Sequence, residues 1–171
     1  MLFLLIQNNV GSCKFQIGCK NIKIYGMKKL VNYGFVVSFI WIGFILSISF
    51  MEAWVKFRAE SLDLPTALDV GQHVFGALNA VERVFSVFLL IVVFYRYTDK
   101  VVVASGVLIF TFIVAQSGYL LPELNEHAQL IIQGMQPEKS SVHMTYIVME
   151  VLKVSALFVL GLRQVKLFAK N

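Results

Sequence analysis

Apolar residues run in four long blocks along the chain, and the polar residues that interrupt each block recur on one helical face. The blocks cover about 30–55, 71–96, 101–121 and 142–162, each near the roughly 20 residues that cross a bilayer as a helix. None alternates with the period of two that a half-buried strand requires, so the pattern predicts four helices. Pro122 stops the third block. The stretch after it, "ELNEHAQLIIQGM", has the spacing of a short amphipathic helix ending at Gly134, expected to lie along the membrane interface. The other long connection, "KFRAESLDLPTALDV", carries Pro65 and Thr66, where a short helix starts or the second span begins; "YTDK" is a tight turn between the second and third spans.

The polar positions are more informative than the apolar ones. At about 100° per residue, His143, Tyr146, Glu150 and Lys153 fall within roughly 80° of one another. Gln116, Tyr119 and Glu123 make a similar stripe on the third span, and Ser38, Trp41, Ser49 and Glu52 on the first. Asn79, Glu82 and Arg83 spread over about 100° of the second. With these faces inward, the fold is an all-α, integral-membrane four-helix bundle.

Depth follows from the rise of 1.5 Å per residue. Glu82 precedes Arg96 by fourteen residues and Glu150 precedes Arg163 by thirteen, so both carboxylates lie roughly 20 Å above the same interface. Ionisable groups at such depth cost a few kcal/mol each on insertion scales, so they face the bundle interior and find partners. Glu150 and Lys153, spaced i,i+3, pair on their own helix, whereas adjacent Glu82 and Arg83 point apart and need a partner from another helix. The expectation is a charge-neutral network of Glu82, Arg83, Glu150 and Lys153, lined by Asn79, Gln116, Tyr119 and Tyr146. Small residues at Gly71, Gly76, Ala77, Ala80, Ser105 and Gly106 mark close helix approach.

Composition agrees with this reading. The chain has 171 residues, 58% hydrophobic and only 15% charged, against about 25% charged in a soluble domain. Mean hydropathy is +0.75. The net charge of +5 sits between apolar blocks rather than on a patch, which argues against a nucleic-acid partner. It orients the chain instead. Lys14, Lys20, Lys23, Lys28 and Lys29 share one side with Arg96, Lys100, Arg163, Lys166 and Lys170. The other side has Lys56, Arg58 and Lys139 with most of the acids: Glu52, Glu60, Asp63, Asp69, Glu123, Glu126 and Glu138. Basic residues in short loops stay cytoplasmic, so both termini are expected inside, in the plasma (inner) membrane.

The chain divides into an N-terminal extension over 1–29, the four-span domain over 30–165 and a basic tail over 166–171. Residues 1–26 are polar and poor in structure signals, and "MKK" at 27–29 is a natural start for a protein whose first helix follows at once. No basic n-region or small-residue cleavage site marks a signal peptide. Cys13 and Cys19 match no zinc spacing and make no disulfide framework.

Phosphate-binding glycine loops, G-x-S-x-G and H-E-x-x-H are absent from the sequence, so no enzyme is expected. The charged cluster reads equally as a self-satisfied network that fixes helix register and as a proton or solute site. Intramembrane acids with basic neighbours make transport or permeation of a small solute or ion through an outward-facing polar pocket the leading function. The rival is a non-catalytic accessory subunit, or a homo-oligomer, packed against a membrane partner. A third option is metal or haem binding at His73, His127, His143 and Glu52, which belong near the outer rim. Imidazole with carboxylate suits zinc, copper or iron, yet the four come from separate segments, and no cofactor is predicted.

Four stretches together resemble a known family: "WIGFILSISFMEAWVKF", "GQHVFGALNAVE", "YLLPELNEHAQLI" and "SSVHMTYIVMEVLKVSALFVLGL". They look like the domain-of-unknown-function 4149 family of small four-helix membrane proteins, over about residues 34–162. Its loose motifs fall here at Trp41 and Gly43, Gly71 and Phe75, Pro122, and His143. The resemblance implies the four-helix architecture and no established activity; "ER" at 82–83 and "ExxK" at 150–153 lie outside its pattern.

Overall fold

A computed structural model describes residues 33–170, except 57, 61 and 138–140. The extension over 1–29, and the first residues of the first span, lie outside the described residues. Residues from Gly34 onward form one compact unit.

Four helices form this unit: α1 (Gly34–Lys56), α2 (Leu64–Arg96), α3 (Lys100–Ile132) and α4 (Val142–Phe168). Each is long and apolar enough to cross a membrane. They run up and down, and each packs on its two neighbours: α1 on α2 and α4, α3 on α2 and α4. One end of the bundle holds the α2–α3 turn and the end of α4. The opposite end holds the α1–α2 and α3–α4 connections.

The buried positions recur every three or four residues: Gly34, Ser38, Trp41 and Ile45 on α1, and Val102, Gly106, Ile109, Ile113 and Gln116 on α3. On α4 they are Val142, Tyr146, Glu150, Lys153, Leu157, Leu160, Gly161 and Gln164. The outer surface is the reverse of a soluble protein's. Val84, Val87, Ile91, Phe94, Leu108, Val114, Val148, Leu152 and Phe158 are all exposed, as a surface solvated by lipid requires. In the half nearer the α2–α3 turn the interior is a dry apolar core built on Trp41, Ile45, Leu89, Val93, Val102, Ile109, Ile113, Leu157 and Leu160.

Element boundaries differ from the sequence pattern in three places. α2 starts at Leu64 rather than near 71, with Pro65 in its first turn, where a missing N–H breaks no ladder bond. α4 continues to Phe168, absorbing part of the expected tail. The largest difference is in α3, which does not stop at Pro122. A π turn over Gln116–Leu120 inserts one residue, and the Leu121 N–H bonds back to the Gln116 carbonyl. Pro122 then falls at the start of a fresh α-helical ladder, where it is tolerated. The segment expected to lie along the interface therefore extends α3 and packs on α2, joined by Gln72 Nε2 donating to the Asn125 carbonyl at 2.9 Å and Gln129 Nε2 to Gln72 Oε1 at 2.7 Å. A second π turn, over Leu46–Glu52, lies in α1.

Small residues allow the close helix contacts. A Cβ on Gly106 would sit 3.1 Å from Val93 Cγ2, and one on Gly161 would sit 3.1 Å from the Phe39 ring. Gly76 has nothing within 4 Å of that position. Gly106→Leu is therefore expected to destabilise the protein by about 1–3 kcal/mol through overpacking. Gly76→Ala should stay within about 0.5 kcal/mol of wild type. Reversible unfolding in detergent micelles distinguishes the two.

Asp99 fastens the α2–α3 turn. Its Oδ1 accepts from the Val101 and Val102 N–H groups at 3.0 and 3.2 Å, capping α3. Its Oδ2 accepts from Arg163 Nε and Nη2 at 3.3 and 2.9 Å, tying the turn to α4. The Arg163 hydrogen bonds, helped by the backbone N–H groups, hold this carboxyl below its ordinary value of 3.8. A lowered folded-state value means a contribution that is full at neutral pH and lost as pH falls below the ordinary aspartate range. Asp99→Asn is thus expected to lower the melting temperature at pH 7 and to converge on wild type in strong acid.

Candidate functional site

At the level where the two carboxylates were expected, all four helices converge on Lys153. Its phase on α4 puts it on the buried stripe rather than toward lipid, and it is fully enclosed, at 0% exposure. The ammonium makes three contacts: Glu82 Oε1 of α2 at 2.6 Å, Gln116 Oε1 of α3 at 2.8 Å and Glu150 Oε1 of α4 at 2.9 Å. Three donors meet three acceptors, so the cation is saturated. α1 contributes Trp41, whose indole Nε1 donates to Glu82 Oε1 at 2.9 Å. Gln116 closes the ring through Nε2, which donates to Glu150 Oε1 at 2.9 Å. The π turn beginning at Gln116 leaves this residue on the buried face just as the helix phase changes.

The carboxylates are only half satisfied. Glu82 and Glu150 are 0% and 1% exposed, and the Oε2 atom of each is buried without a hydrogen-bond partner. The Tyr146 hydroxyl, one turn along α4 from Glu150, lies beside that carboxylate and is electrostatically coupled to both. Two bare carboxylate oxygens in one enclosed layer call for a donor, because buried polar atoms are as a rule hydrogen-bonded.

Arg83 does not join this network. Glu82 is in phase with buried Leu78, Ser86 and Leu89, and the next residue is rotated about 100° away. The Arg83 side chain is exposed, with Nη1 donating to Asn79 Oδ1 at 2.8 Å. Asn79, itself buried, also accepts from Ser117 Oγ at 2.9 Å, making a separate polar node on the α2–α3 face. Tyr119 points away too, at 68% exposure, with its hydroxyl beside Glu123. The enclosed cluster thus holds two carboxylates and one cation, not the neutral set expected from sequence. Trp41 was visible in sequence only as one polar position of the α1 stripe; the direction of its indole N–H depends on a rotamer that spacing does not specify. The bond from Ser38 Oγ to Gln164 Oε1 at 3.3 Å, which joins α1 to α4 nearer the α2–α3 turn, gave no signal beyond two polar residues at buried phases.

Between the charged layer and the opposite end lies an aromatic layer. The Phe75 and Tyr146 rings pack edge to face with centroids 5.7 Å apart, surrounded by Leu120, Leu124, Val142 and Met149. Beyond it a cavity of about 360 Å³ opens between α2, α3 and α4, lined by Phe75, Leu124, Asn125, His127, His143 and Lys56 among others. Lys56 Nζ sits 3.5 Å from Glu52 Oε1 and 5.3 Å above the Phe75 ring centroid, in the space a Cβ on Gly71 would need. From this end inward the order is cavity, aromatic layer, charged layer and apolar core.

The four residues named as metal ligands do not form a ligand set. His127 and His143 line the cavity, Glu52 pairs with Lys56, and His73 is 79% exposed with Nδ1 2.9 Å from the Asp69 carbonyl. No group of three or more His, Cys, Asp or Glu able to hold a metal ion occurs among the described residues. The protein-family models, curated proteins and solved structures compared with this chain contain no match to it.

Proposed function

We propose that the chain is a multi-pass protein of the plasma (inner) membrane, with both termini cytoplasmic, that moves a small solute or ion through a pocket open to the outside. The observation that carries this reading is the enclosed Glu82–Lys153–Glu150 cluster, separated from a solvent-accessible cavity by the Phe75–Tyr146 layer alone. Charged residues fully buried at mid-membrane are expensive, and a dry apolar core of the same volume would hold four helices together at less cost. Arg96, Lys100, Arg163 and Lys166 at the α2–α3 end support a cytoplasmic assignment for that end. The cavity end is then outside, and the apolar core seals the inner half. This arrangement corresponds to a carrier closed on both sides, with the aromatic layer as the thinner barrier. Membership in the domain-of-unknown-function 4149 family is part of the proposal and adds architecture alone.

The test is flux in proteoliposomes loaded with a pH-sensitive dye. Wild-type protein is expected to dissipate an imposed pH or solute gradient faster than empty vesicles, and Glu150→Gln to lose that activity while remaining folded. Vesicles that stay tight under every gradient tried would contradict the reading.

A second reading, an accessory subunit in a membrane complex, is favoured by Arg83. It lies about 20 Å from the cytoplasmic interface, faces outward beside exposed Ala80, and has one hydrogen bond for its five donors. A lipid-facing guanidinium at mid-membrane calls for a partner carrying an acceptor. Cysteine at Ala80 should then cross-link to a second polypeptide in native membranes; monomer alone argues against it.

A further inference from the structure

We infer that Glu82 and Glu150 together hold one exchangeable proton, and that Tyr146 is the group through which it enters and leaves. This deepens the transport reading by naming the ion taken by the charged layer, and the proton occupancy is argued without reference to flux.

Charge counting comes first. The groups facing the site from each helix are Trp41 on α1, Glu82 on α2, Gln116 on α3, and Tyr146, Glu150 and Lys153 on α4. Of these, Glu82 and Glu150 are acids and Lys153 is a base, while Trp41, Gln116 and the Tyr146 phenol are neutral. With both carboxylates and the lysine charged, an enclosed layer would carry a net charge of −1. The nearest further cation in sequence, Arg83, is turned outward onto Asn79. Two carboxylates sharing one counter-ion in a low-dielectric site do not both stay ionised. One added proton makes the layer neutral.

Geometry then says where that proton sits. Both Oε1 atoms are occupied by Lys153, and Trp41 and Gln116 add a further N–H to Glu82 and Glu150 respectively. Only the two Oε2 atoms are without donors, and they are the buried orphans. A proton on one Oε2 supplies the missing donor. The Tyr146 hydroxyl, beside the Glu150 carboxylate, is both donor and acceptor, and its ring packs against Phe75 on the cavity side. For uptake, a hydronium ion in the cavity gives a proton to the tyrosine oxygen and is left as water, while that hydroxyl's own proton passes to a carboxylate Oε2. Release is the reverse. No charge is left on the tyrosine, and the proton count balances.

Infrared spectroscopy of the protein in lipid bilayers tests this directly. The wild type at neutral pH should show a protonated-carboxyl band that shifts on transfer to heavy water. Glu82→Gln and Glu150→Gln should each lose it, because the remaining carboxylate and Lys153 then form a neutral ion pair. Tyr146→Phe should keep the band but slow its isotope shift. The inference is overturned if no such band exists at neutral pH, if it survives both single glutamine variants, or if sodium at constant pH removes it. Circular dichroism on each variant verifies folding, and Glu82→Asp, which retains the charge count, should keep the band. Tight vesicles in the flux assay alongside a band that behaves this way would sink transport and leave the proton site standing. Flux without the band would do the opposite.

Discussion

Lys153→Met is expected to be the most damaging single substitution in the bundle. It removes the cation on which α2, α3 and α4 meet and leaves Glu82 and Glu150 buried together with no counter-ion. Breaking a buried ion pair from one side typically destabilises by about 3–5 kcal/mol, because the abandoned charge has nowhere to go. Here the negative charge that Glu82 and Glu150 share is abandoned, and the Gln116 carbonyl oxygen loses its donor as well. In detergent the variant should unfold at far lower temperature or denaturant than wild type. The effect belongs to the uncompensated charge rather than to the lost ammonium, and that distinction is testable. Combining Lys153→Met with Glu82→Gln and Glu150→Gln removes all three ionisable groups of the cluster and should recover most of the lost stability. A Lys153→Met protein as stable as wild type would mean that the cluster does not hold the helices together.

Trp41→Ala is expected to come next. Trp41 is fully enclosed, packs on Phe85 with ring centroids 6.0 Å apart, and donates to Glu82. Truncating a buried tryptophan to alanine costs about 3–5 kcal/mol from lost contacts and the cavity left behind. The loss of one of the two donors to Glu82 Oε1, with Lys153 remaining, adds to that. Trp41→Phe separates the two contributions, since it keeps much of the ring and loses only the N–H; it should cost about 1–3 kcal/mol. Unfolding of both variants in the same detergent, read by circular dichroism, gives the comparison. Equal losses would place the whole effect in the hydrogen bond, and a Trp41→Phe indistinguishable from wild type would place it all in packing.

The common depth of Glu82 and Glu150 was legible because it depends on one constant, the helical rise, counted from basic residues at a shared interface. The polar stripe on α4 was legible for a similar reason: His143, Tyr146, Glu150 and Lys153 keep one phase along an unbroken helix. Arg83 was expected to point apart from Glu82 and still find a partner on another helix within the network, and it does not. Position 82 shares the phase of Leu78 and Leu89, and position 83 does not. The continuation of α3 through Pro122 was not legible from a 3.6-residue pattern. A π turn adds one residue, and nothing in "QSGYLLP" announces that the ladder will reset before the proline. The proton argument also needed the structure. Spacing counts two acids and two bases, and only side-chain directions reveal that one of the bases is outside.

Access to the charged layer from one side only is the central claim, and labelling by a membrane-impermeant maleimide tests it most directly. With Cys13 and Cys19 replaced by serine, single cysteines are placed at His143 on the cavity wall and at Leu157 in the apolar core. The account predicts that the cysteine at 143 reacts when reagent is added to the outer face of intact cells, and that the cysteine at 157 reacts from neither face. Labelling at 143 from the cytoplasmic face alone, or at 157 from either face of the folded protein, would contradict it.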